Sequence, residues 1–170
     1  MNLSIIDSTN QYLKETLPLL ANGHVCLAEA QTAGRGRHGR KWVSPYGASL
    51  YLSYFWRFAA GYQAISGLSL AVGVAITETL SEVGVKDVQL KWPNDLYSQN
   101  RKLAGVLVEV EGQMGAACDC IIGIGLNIDL SDQQDEIDQP WIDLHRIVDA
   151  PVDRNKLAAV LTEKLIDVIS

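Results

Sequence analysis

Apolar residues recur with helical spacing in two long segments of the chain, and each segment predicts an amphipathic helix. The first segment runs from Gly61 to about Val83, and its apolar stripe consists of Ile65, Leu68, Val72, Ile76 and Leu80. The second begins at Asp153, and its stripe consists of Leu157, Leu161, Leu165 and Val168. Gly67 and Gly73 in the first segment predict close packing against a neighbouring element.

A third, shorter helix is predicted to begin at Ser8. Ser8 and Gln11 have the spacing of a capping box, in which a hydroxyl and a side-chain amide reciprocally satisfy free backbone N–H groups. Leu13 and Leu17 continue the apolar pattern, and Pro18 weakens the last turn of this helix.

The remaining apolar runs predict strands, which lie at residues 24–28, 48–56, 88–92, 103–111 and 121–128. Turn-forming residues dominate 32–42 (TAGRGRHGRKW) and 93–102 (PNDLYSQNRK), which predict a loop and a turn. Several strands follow one another without an intervening helix. This order favours an α+β fold with a mixed, largely antiparallel sheet over a doubly wound sheet.

The composition is typical of a soluble globular domain, with 48% apolar and 20% charged residues in a chain of 170. A chain of this length can bury a core without a disulfide or metal staple, so we expect one domain. Cys26, Cys118 and Cys120 form no disulfide framework and predict free thiols in a reducing cytosol. We find no signal-peptide pattern, and the apolar run at 68–76 is shorter than a membrane span. Together these features predict a cytoplasmic protein that does not enter a membrane.

The net charge of −6 argues against non-specific binding to nucleic acid or to an anionic membrane, but the charge is unevenly spread. Residues 129–138 contain five acids and no base: Asp129, Asp132, Asp135, Glu136 and Asp138. The loop at 32–42 contains four cations: Arg35, Arg37, Arg40 and Lys41. A local site for a small anion is therefore compatible with the acidic composition.

The sequence GRGRHG at 34–39 has the glycine spacing of a dinucleotide-binding fingerprint. That fingerprint needs a helix directly after it, whereas Ser44, Pro45 and a strand-like run follow here, which argues against a Rossmann site. A flexible loop with guanidiniums and bare backbone N–H groups suits a phosphate or a carboxylate. The alternative is a basic loop that is merely solvated.

Three further segments carry candidate polar ligands. They are KWPNDLY at 91–97, RKLAG at 101–105 and GIGLN at 123–127. Each also has an ordinary interpretation: Pro-Asn-Asp is common turn chemistry, a lysine at a strand end is commonly exposed, and small residues in a strand commonly serve packing. The histidines lack the spacing of a metal cage, and no nucleophile is paired with a base in a recognisable motif.

Taken in order, STNQYL, AEAQTAGRGRHGRKWVSPYGASLYLS, KWPNDLY, RKLAGVLVE and GIGLNI resemble the catalytic core of biotin–protein ligases. This resemblance includes the bifunctional ligase/repressor branch and covers roughly residues 5–130. It implies a mixed sheet with helices packed mainly on one face. It also implies an enzyme that uses ATP and Mg²⁺ to form biotinyl-5′-adenylate and then transfers biotin to a lysine of a biotin carboxyl carrier protein.

The resemblance also implies site residues. Those for biotin are Ser8, Thr9, Asn10, Gln31, Gly34, Arg35, Gly36, Arg37, Lys102 and Gly105. Those for the nucleotide are Arg37, Arg40, Trp42, Asn94 and Asn127. Those for catalysis are Lys102, Arg35, Arg37 and Asp95, with no metal held by the protein. Fixed cations suit this chemistry because negative charge builds up on the α-phosphate when a carboxylate attacks it.

The family resemblance sets expectations about domains and partners as well. The repressor branch begins with a helix-turn-helix domain, and the family ends with a small β-barrel. We expect residues 1–170 to be the catalytic domain without either, truncated at the C-terminus. This chain should therefore not bind nucleic acid, and dimerisation stays open. The alternatives are a lipoate- or octanoate-handling relative and a non-catalytic biotin-sensing domain of a repressor.

Overall fold

A single mixed sheet organises the protein. The computed structural model describes residues 1–113, 116–133 and 136–170, and in these ranges seven strands form the sheet in the order β1-β2-β3-β7-β6-β5-β4. The strands are β1 (Asn2–Ile6), β2 (Val25–Gln31), β3 (Ser49–Phe58), β4 (Gln89–Lys91), β5 (Asp95–Ser98), β6 (Arg101–Gly112) and β7 (Cys118–Asn127). The β1–β2 pair is parallel and the other described pairs are antiparallel, which confirms the predicted sheet.

Three α-helices accompany the sheet in the described ranges: α1 (Thr9–Glu15), α2 (Leu68–Glu82) and α3 (Arg154–Ile169). The side chain of Ser8 caps α1 by accepting from the backbone N–H of Gln11, as predicted. The amide of Gln11 does not return to Ser8 but donates to Glu15 Oε1 at 2.8 Å. Only half of the predicted capping box therefore forms.

The two long helices pack on one face of the sheet, as the fold prediction requires. Alternate residues of the central strands point to this face, among them Leu52 and Tyr54 of β3 and Ile122 of β7. They form one buried core with Ile76 of α2 and Leu161 of α3. On the opposite face, α1 is the only α-helix among the described residues, and its Leu13 packs with Cys26, Phe55 and Ile121 of the sheet in a second small core. Most of this second face is therefore left for other contacts.

The predicted helix from Gly61 to Val83 is interrupted. A 3₁₀ helix covers Gly61–Ile65, and α2 begins only after Gly67, whose φ of +81° is left-handed. A Cβ at Gly67 would meet nothing within 4 Å, so its role is conformational and the predicted close packing there is wrong. At Gly73 a Cβ would lie 2.6 Å from Leu90 Cδ2, which confirms close packing at that position.

One segment, Gly61–Glu82, is long and apolar enough to span a membrane by length and composition alone, with 22 residues and a mean hydropathy of 1.5. The core helix of a globular protein meets the same criteria. Here Leu68, Val72, Ile76 and Leu80 of the segment are buried in the core against the sheet. This packing is that of a core helix.

The structure adds two strands that the sequence pattern does not reveal. β1 lies at the edge of the sheet, and its exposed Ile5 breaks the usual alternation of a half-buried strand. β5 lies inside the segment predicted as a turn, and the chain turns on both sides of it, at residues 92–94 and at residues 99–100, with φ values of 51° at Gln99 and 60° at Asn100. Asp135 of the predicted acidic stretch lies outside the described residues, whereas Asp129 and Asp138 are exposed on the surface as expected.

A β-bulge lies between β5 and β6. Asp95 pairs with Gly105 and Leu96 with Ala104, but Tyr97 pairs with Lys102, so Leu103 is an extra residue on β6. In a regular strand, two residues three positions apart point to opposite faces. The bulge turns Lys102 to the same face as Gly105, the face opposite α2 and α3.

Candidate active site

A cavity of about 930 Å³ lies on the sheet face that α2 and α3 leave open. Its walls are the first turn of α1, the loop at 32–42, the β4–β5 segment and the middle of β6 and β7. All but one of the predicted site residues line it: Ser8, Thr9, Asn10, Gln31, Arg35, Gly36, Arg37, Arg40, Trp42, Asn94, Asp95, Lys102, Gly105 and Asn127. Elements distant in sequence therefore meet at one place.

Gly34 is the predicted residue that does not line the cavity. A Cβ at this position would lie 2.5 Å from both Ser44 Oγ and the carbonyl oxygen of Trp42. Its own carbonyl accepts from the backbone N–H of Trp42 at 2.9 Å. Gly34 thus closes the base of the loop at 32–42, which we call the basic loop.

A polar cluster of Thr9, Asn10, Gln31, Ser44 and Ser53 forms one end of the cavity. Gln31 Oε1 accepts from the backbone N–H of Thr9 at 2.9 Å, and its amide donates to Ser44 Oγ at 3.0 Å. Ser53 Oγ lies 2.7 Å from Thr9 Oγ1 and donates to Asn10 Oδ1 at 2.5 Å. The cluster presents hydrogen-bonding groups in a fixed arrangement at a largely buried position, which suits a small polar ligand.

Trp42 lies flat over two neighbouring strands because those strands have glycines beneath it. A Cβ at Gly125 would lie 2.5 Å from Trp42 Cε2, and one at Gly105 would lie 3.0 Å from Cζ3. Among the described residues, the buried Nε1 of Trp42 has no hydrogen-bond partner. The indole therefore forms an apolar wall of the cavity with one donor still available.

Lys102 and Asp95 form the charged centre of the cavity. Lys102 Nζ lies 2.9 Å from Asp95 Oδ1 and 5.3 Å from the centre of the Trp42 ring. The side chain of Lys102 is only 11% exposed, so its charge is weakly screened by water. The ion pair lacks the angles of a hydrogen bond. The contact between the two side chains is therefore an ion pair without a hydrogen bond.

Two contacts hold the basic loop over the sheet. Arg35 Nη2 donates to Glu109 Oε2 at 3.0 Å, and Arg37 Nη1 donates to Asn94 Oδ1 at 3.1 Å. The loop makes a tight turn at His38 and Gly39, which both have left-handed φ values of 56° and 74°. Both guanidiniums therefore lie at the edge of the cavity, on opposite sides of the loop.

The two predicted asparagines are tied to the backbone. Asn94 donates to the carbonyl of Val106 at 2.8 Å. Asn127 donates to the carbonyls of Lys102 at 3.2 Å and Ile142 at 3.0 Å. Asn127 thus fixes the backbone of the central lysine, and its amide nitrogen is occupied by protein.

Residues 3–127 match the biotin/lipoate A/B protein ligase family. The chain belongs to this family. The fold prediction is thereby confirmed, since solved members of the family have the same architecture. Biotin protein ligase from Aquifex aeolicus in complex with biotin and ATP aligns with a TM-score of 0.85 and 31% identity over 99% of this chain and 69% of that one. The Leishmania major enzyme in complex with biotinyl-5-AMP aligns with a TM-score of 0.80 and 26% identity over 99% and 73%.

Sequence relatives within the family are biotin ligases. The chain is 49% identical to the bifunctional ligase/repressor BirA of Escherichia coli over 96% of this chain and 51% of the relative. It is 38% identical to the biotin–[acetyl-CoA-carboxylase] ligase of Mycobacterium tuberculosis over 85% and 53%. The chain spans about half the length of these curated relatives.

In this member of the ligase family the structure brings further residues to the cavity that the motifs do not reveal. Trp141 lines it and forms a β-bridge with Lys102. The guanidinium of Arg146 lies 4.4 Å from the centre of its ring, and the buried Asp143 carboxylate holds Arg146. Trp141 lies in a part of the sequence without helical or strand spacing of apolar residues. The only sequence feature that could have indicated it is its position shortly after the acidic stretch at 129–138.

The described residues contain no group of three or more His, Cys, Asp or Glu side chains that could hold a metal ion. Single carboxylates do reach the cavity wall, namely Asp95, Glu136 and Asp138. These residues fit an ion that arrives with a phosphate ligand better than one held permanently by the protein.

Proposed function

We propose that this chain activates biotin with ATP to form biotinyl-5′-adenylate and transfers the biotin to a lysine of a biotin carboxyl carrier protein. The observation that carries the proposal is the position of Lys102. It lies in one cavity with two guanidiniums of the basic loop at one edge and an uncharged polar cluster at the other end. Such a cavity offers separate places for an anionic reaction centre and for a neutral polar ring.

The polar cluster supports biotin as the acid that is activated. A ureido ring carries one carbonyl acceptor and two N–H donors, and the hydroxyls and amides of Thr9, Asn10 and Gln31 offer both kinds of partner. The indole of Trp42 provides an apolar surface for the rest of the ligand. A lipoyl or octanoyl group has no polar ring and would form no hydrogen bonds with these groups, so it would gain less from the polar cluster than biotin does.

The cations support the first step. The carboxylate of biotin attacks the α-phosphate of ATP, and pyrophosphate leaves. Lys102 would neutralise the approaching carboxylate and the α-phosphate oxygens, and Arg35 and Arg37 would bind charge from the side of the loop. The carboxylates at the cavity wall would hold Mg²⁺ brought in with ATP, and the ion would supply positive charge to the phosphates. Closing the basic loop would keep water away from the mixed anhydride.

Asp95 supports the second step. The amine of the carrier lysine attacks the acyl carbon of the adenylate, and AMP leaves. A carboxylate beside Lys102 at the reaction centre is placed to orient that amine or to take its proton. Once Lys102 has turned to the phosphate, Asp95 becomes available to the incoming amine.

The cellular setting belongs to the same proposal. Cys26, Cys118 and Cys120 are free and buried, which supports action in the reducing cytoplasm. The acidic net charge argues against nucleic acid or an anionic membrane as a partner, whereas the cations of the basic loop support a small anionic ligand. Dimerisation stays open.

The decisive experiment incubates this chain with biotin and Mg·ATP and measures pyrophosphate release, followed by labelling of a purified carrier domain. We expect both with biotin and neither with lipoate. Product with lipoate alone would assign the chain to the lipoate branch of the family. Tight biotin binding without pyrophosphate release would contradict the enzymatic proposal and favour a biotin-sensing domain.

A further inference from the structure

One carboxylate connects the basic loop to the polar cluster. Oε2 of Glu109 accepts a hydrogen bond from Arg35 Nη2 at 3.0 Å and another from Asn10 Nδ2 at 2.8 Å. Its side chain is 21% exposed, so water only partly screens the ion pair. Glu109 lies on β6 at even spacing from Gly105, and therefore on the cavity face of the sheet.

The hydrogen bond from Asn10 is fixed by its neighbours. Ser53 Oγ donates to Asn10 Oδ1 at 2.5 Å, which leaves the amide nitrogen to face Glu109. A Cβ at Gly123 would lie 2.4 Å from Asn10 Oδ1, so the glycine makes room for this orientation. The amide of Asn10 therefore has one defined direction, set by Ser53 on one side and Glu109 on the other.

The far end of the basic loop is connected to the same cluster. Ser44 Oγ donates to the carbonyl of Trp42 at 2.9 Å and accepts from the amide of Gln31 at 3.0 Å. Gln31 in turn accepts from the backbone of Thr9. Both ends of the loop are thus hydrogen-bonded, within two or three contacts, to neighbouring residues in the first turn of α1.

We propose that Glu109 is a positioning residue that couples closure of the basic loop to the binding of biotin in the polar cluster. Its negative charge holds Arg35 over the cavity, and the same oxygen aligns Asn10. Because one oxygen accepts both hydrogen bonds, any movement of this carboxylate changes both contacts at once. The identity of the ligand in this proposal rests on the proposed function. The pair of contacts that Glu109 makes with Arg35 and Asn10, which we call the tether, does not.

Glu111 provides a matched control on the same strand and face. It lies two residues further along β6 and forms an ion pair with Lys14 of α1. Glu111→Gln removes this ion pair between β6 and α1 and leaves the contact of Glu109 with the basic loop in place. Glu109→Gln keeps the size of the side chain and removes the charge that holds Arg35.

The first measurement is limited trypsin cleavage of the ligand-free chain at Arg40 and Lys41, relative to cleavage at the exposed Lys86 far from the loop. We expect loop cleavage about tenfold faster in Glu109→Gln, because a charge-assisted hydrogen bond is lost, and unchanged in Glu111→Gln. Combining Glu109→Gln with Arg35→Gln should add little to Arg35→Gln alone. Loop cleavage of Glu109→Gln at the wild-type rate would overturn the tether. Additive effects of Glu109→Gln and Arg35→Gln on the cleavage rate would overturn it as well.

The second measurement is the dissociation constant for biotin by calorimetry, which we expect to rise about tenfold in Glu109→Gln with an unchanged melting temperature. Glu109→Asp, which keeps the charge, should lie between Glu109→Gln and wild type. Faster loop cleavage with unaltered biotin affinity would overturn the coupling. If no variant binds biotin, wild type included, while loop cleavage still responds, the tether stands and the proposed function fails.

Discussion

Lys102 Nζ lies 2.9 Å from Asp95 Oδ1 although the two residues are not paired across the sheet. Lys102 pairs with Tyr97, and Asp95 pairs with Gly105. The bulge at Leu103 puts both side chains on the cavity face, and the long lysine side chain then reaches back along β5. The contact depends on this local irregularity more than on the two residue types.

Replacing Lys102 by Ala should abolish most adenylation while the fold persists. The fixed cation stabilises charge that develops on the α-phosphate, so we expect pyrophosphate release to fall about 100- to 1,000-fold. Arg101→Ala is the control, since this exposed neighbour does not line the cavity. Unchanged pyrophosphate release in Lys102→Ala, with a normal circular dichroism spectrum, would remove Lys102 from the site.

Asp95→Asn should slow transfer more than adenylation. The amide keeps the size of the side chain but cannot take a proton from the carrier lysine. The measurement is single-turnover labelling of the carrier domain from preformed biotinyl-5′-adenylate. Full transfer in Asp95→Asn would contradict a role for this carboxylate in orienting or deprotonating the amine.

Gly125→Ala should weaken biotin binding by displacing Trp42. The new methyl group would lie 2.5 Å from the indole, and strand backbone cannot move away easily. We expect a loss of about 1–3 kcal/mol in stability and at least about a tenfold loss in biotin affinity. Gly73→Ala is the matched control, because its methyl meets the flexible end of Leu90 on the other face. It should leave biotin affinity unaltered.

Asp143→Ala should destabilise the protein and disorder the wall that Trp141 provides. The buried carboxylate accepts from the backbone of Leu130 at 2.8 Å, from the backbone of Arg146 at 3.1 Å and from its guanidinium. Removing it leaves buried donors unpaired, at a cost of about 3 kcal/mol in the free energy of unfolding. Urea denaturation followed by tryptophan fluorescence measures this. Asp143→Asn keeps one acceptor oxygen and should lose less, whereas equal losses in the two variants would show that the negative charge of Asp143 is required.

Stability should fall as the pH rises above about 9. Burial raises the pKa of Cys26 from 9.0 to about 11 and that of Tyr51 from 10.0 to about 12. Between the unfolded and the folded pKa, only the unfolded state releases the proton, so rising pH favours unfolding. Below pH 9 these groups are protonated in both states, and stability should not depend on them. Melting temperatures between pH 7 and 11 test this, and Cys26→Ala should show a shallower decline.

Much of the fold is predictable from the sequence because the spacing of apolar residues in a helix or a strand reflects which side of that element is buried. α3 begins at Arg154, one residue after the predicted start, and Asp153 is its N-cap. The strands predicted before and after the basic loop form at nearly the expected bounds. β5 escapes prediction because it is short and is bounded by the turn formers Asp95 and Ser98, and only pairing with β6 makes this segment a strand. Tertiary pairing therefore decides where local propensity is ambiguous.

The motifs predict which residues meet in the cavity, and the geometry adds how they are held. Glu109 lies in an alternating strand where every second residue is usually exposed, so nothing in the pattern separates it from Glu111. Asn10 and Gly123 are far apart in sequence, and their close fit arises only when α1 rests on β7. Such contacts depend on how helices and strands pack together, so no local pattern in the sequence reveals them.

The alternation of β7 has a practical consequence for redesign. Ile122, Ile124 and Leu126 belong to the core with α2 and α3, whereas Gly123, Gly125 and Asn127 line the cavity. Side chains added at Gly123 or Gly125 would leave the main hydrophobic core unchanged but would displace Asn10 and Trp42, which fill the space above these glycines. A directed-evolution library for new ligand shapes therefore has to vary Asn10 and Trp42 together with the glycines beneath them.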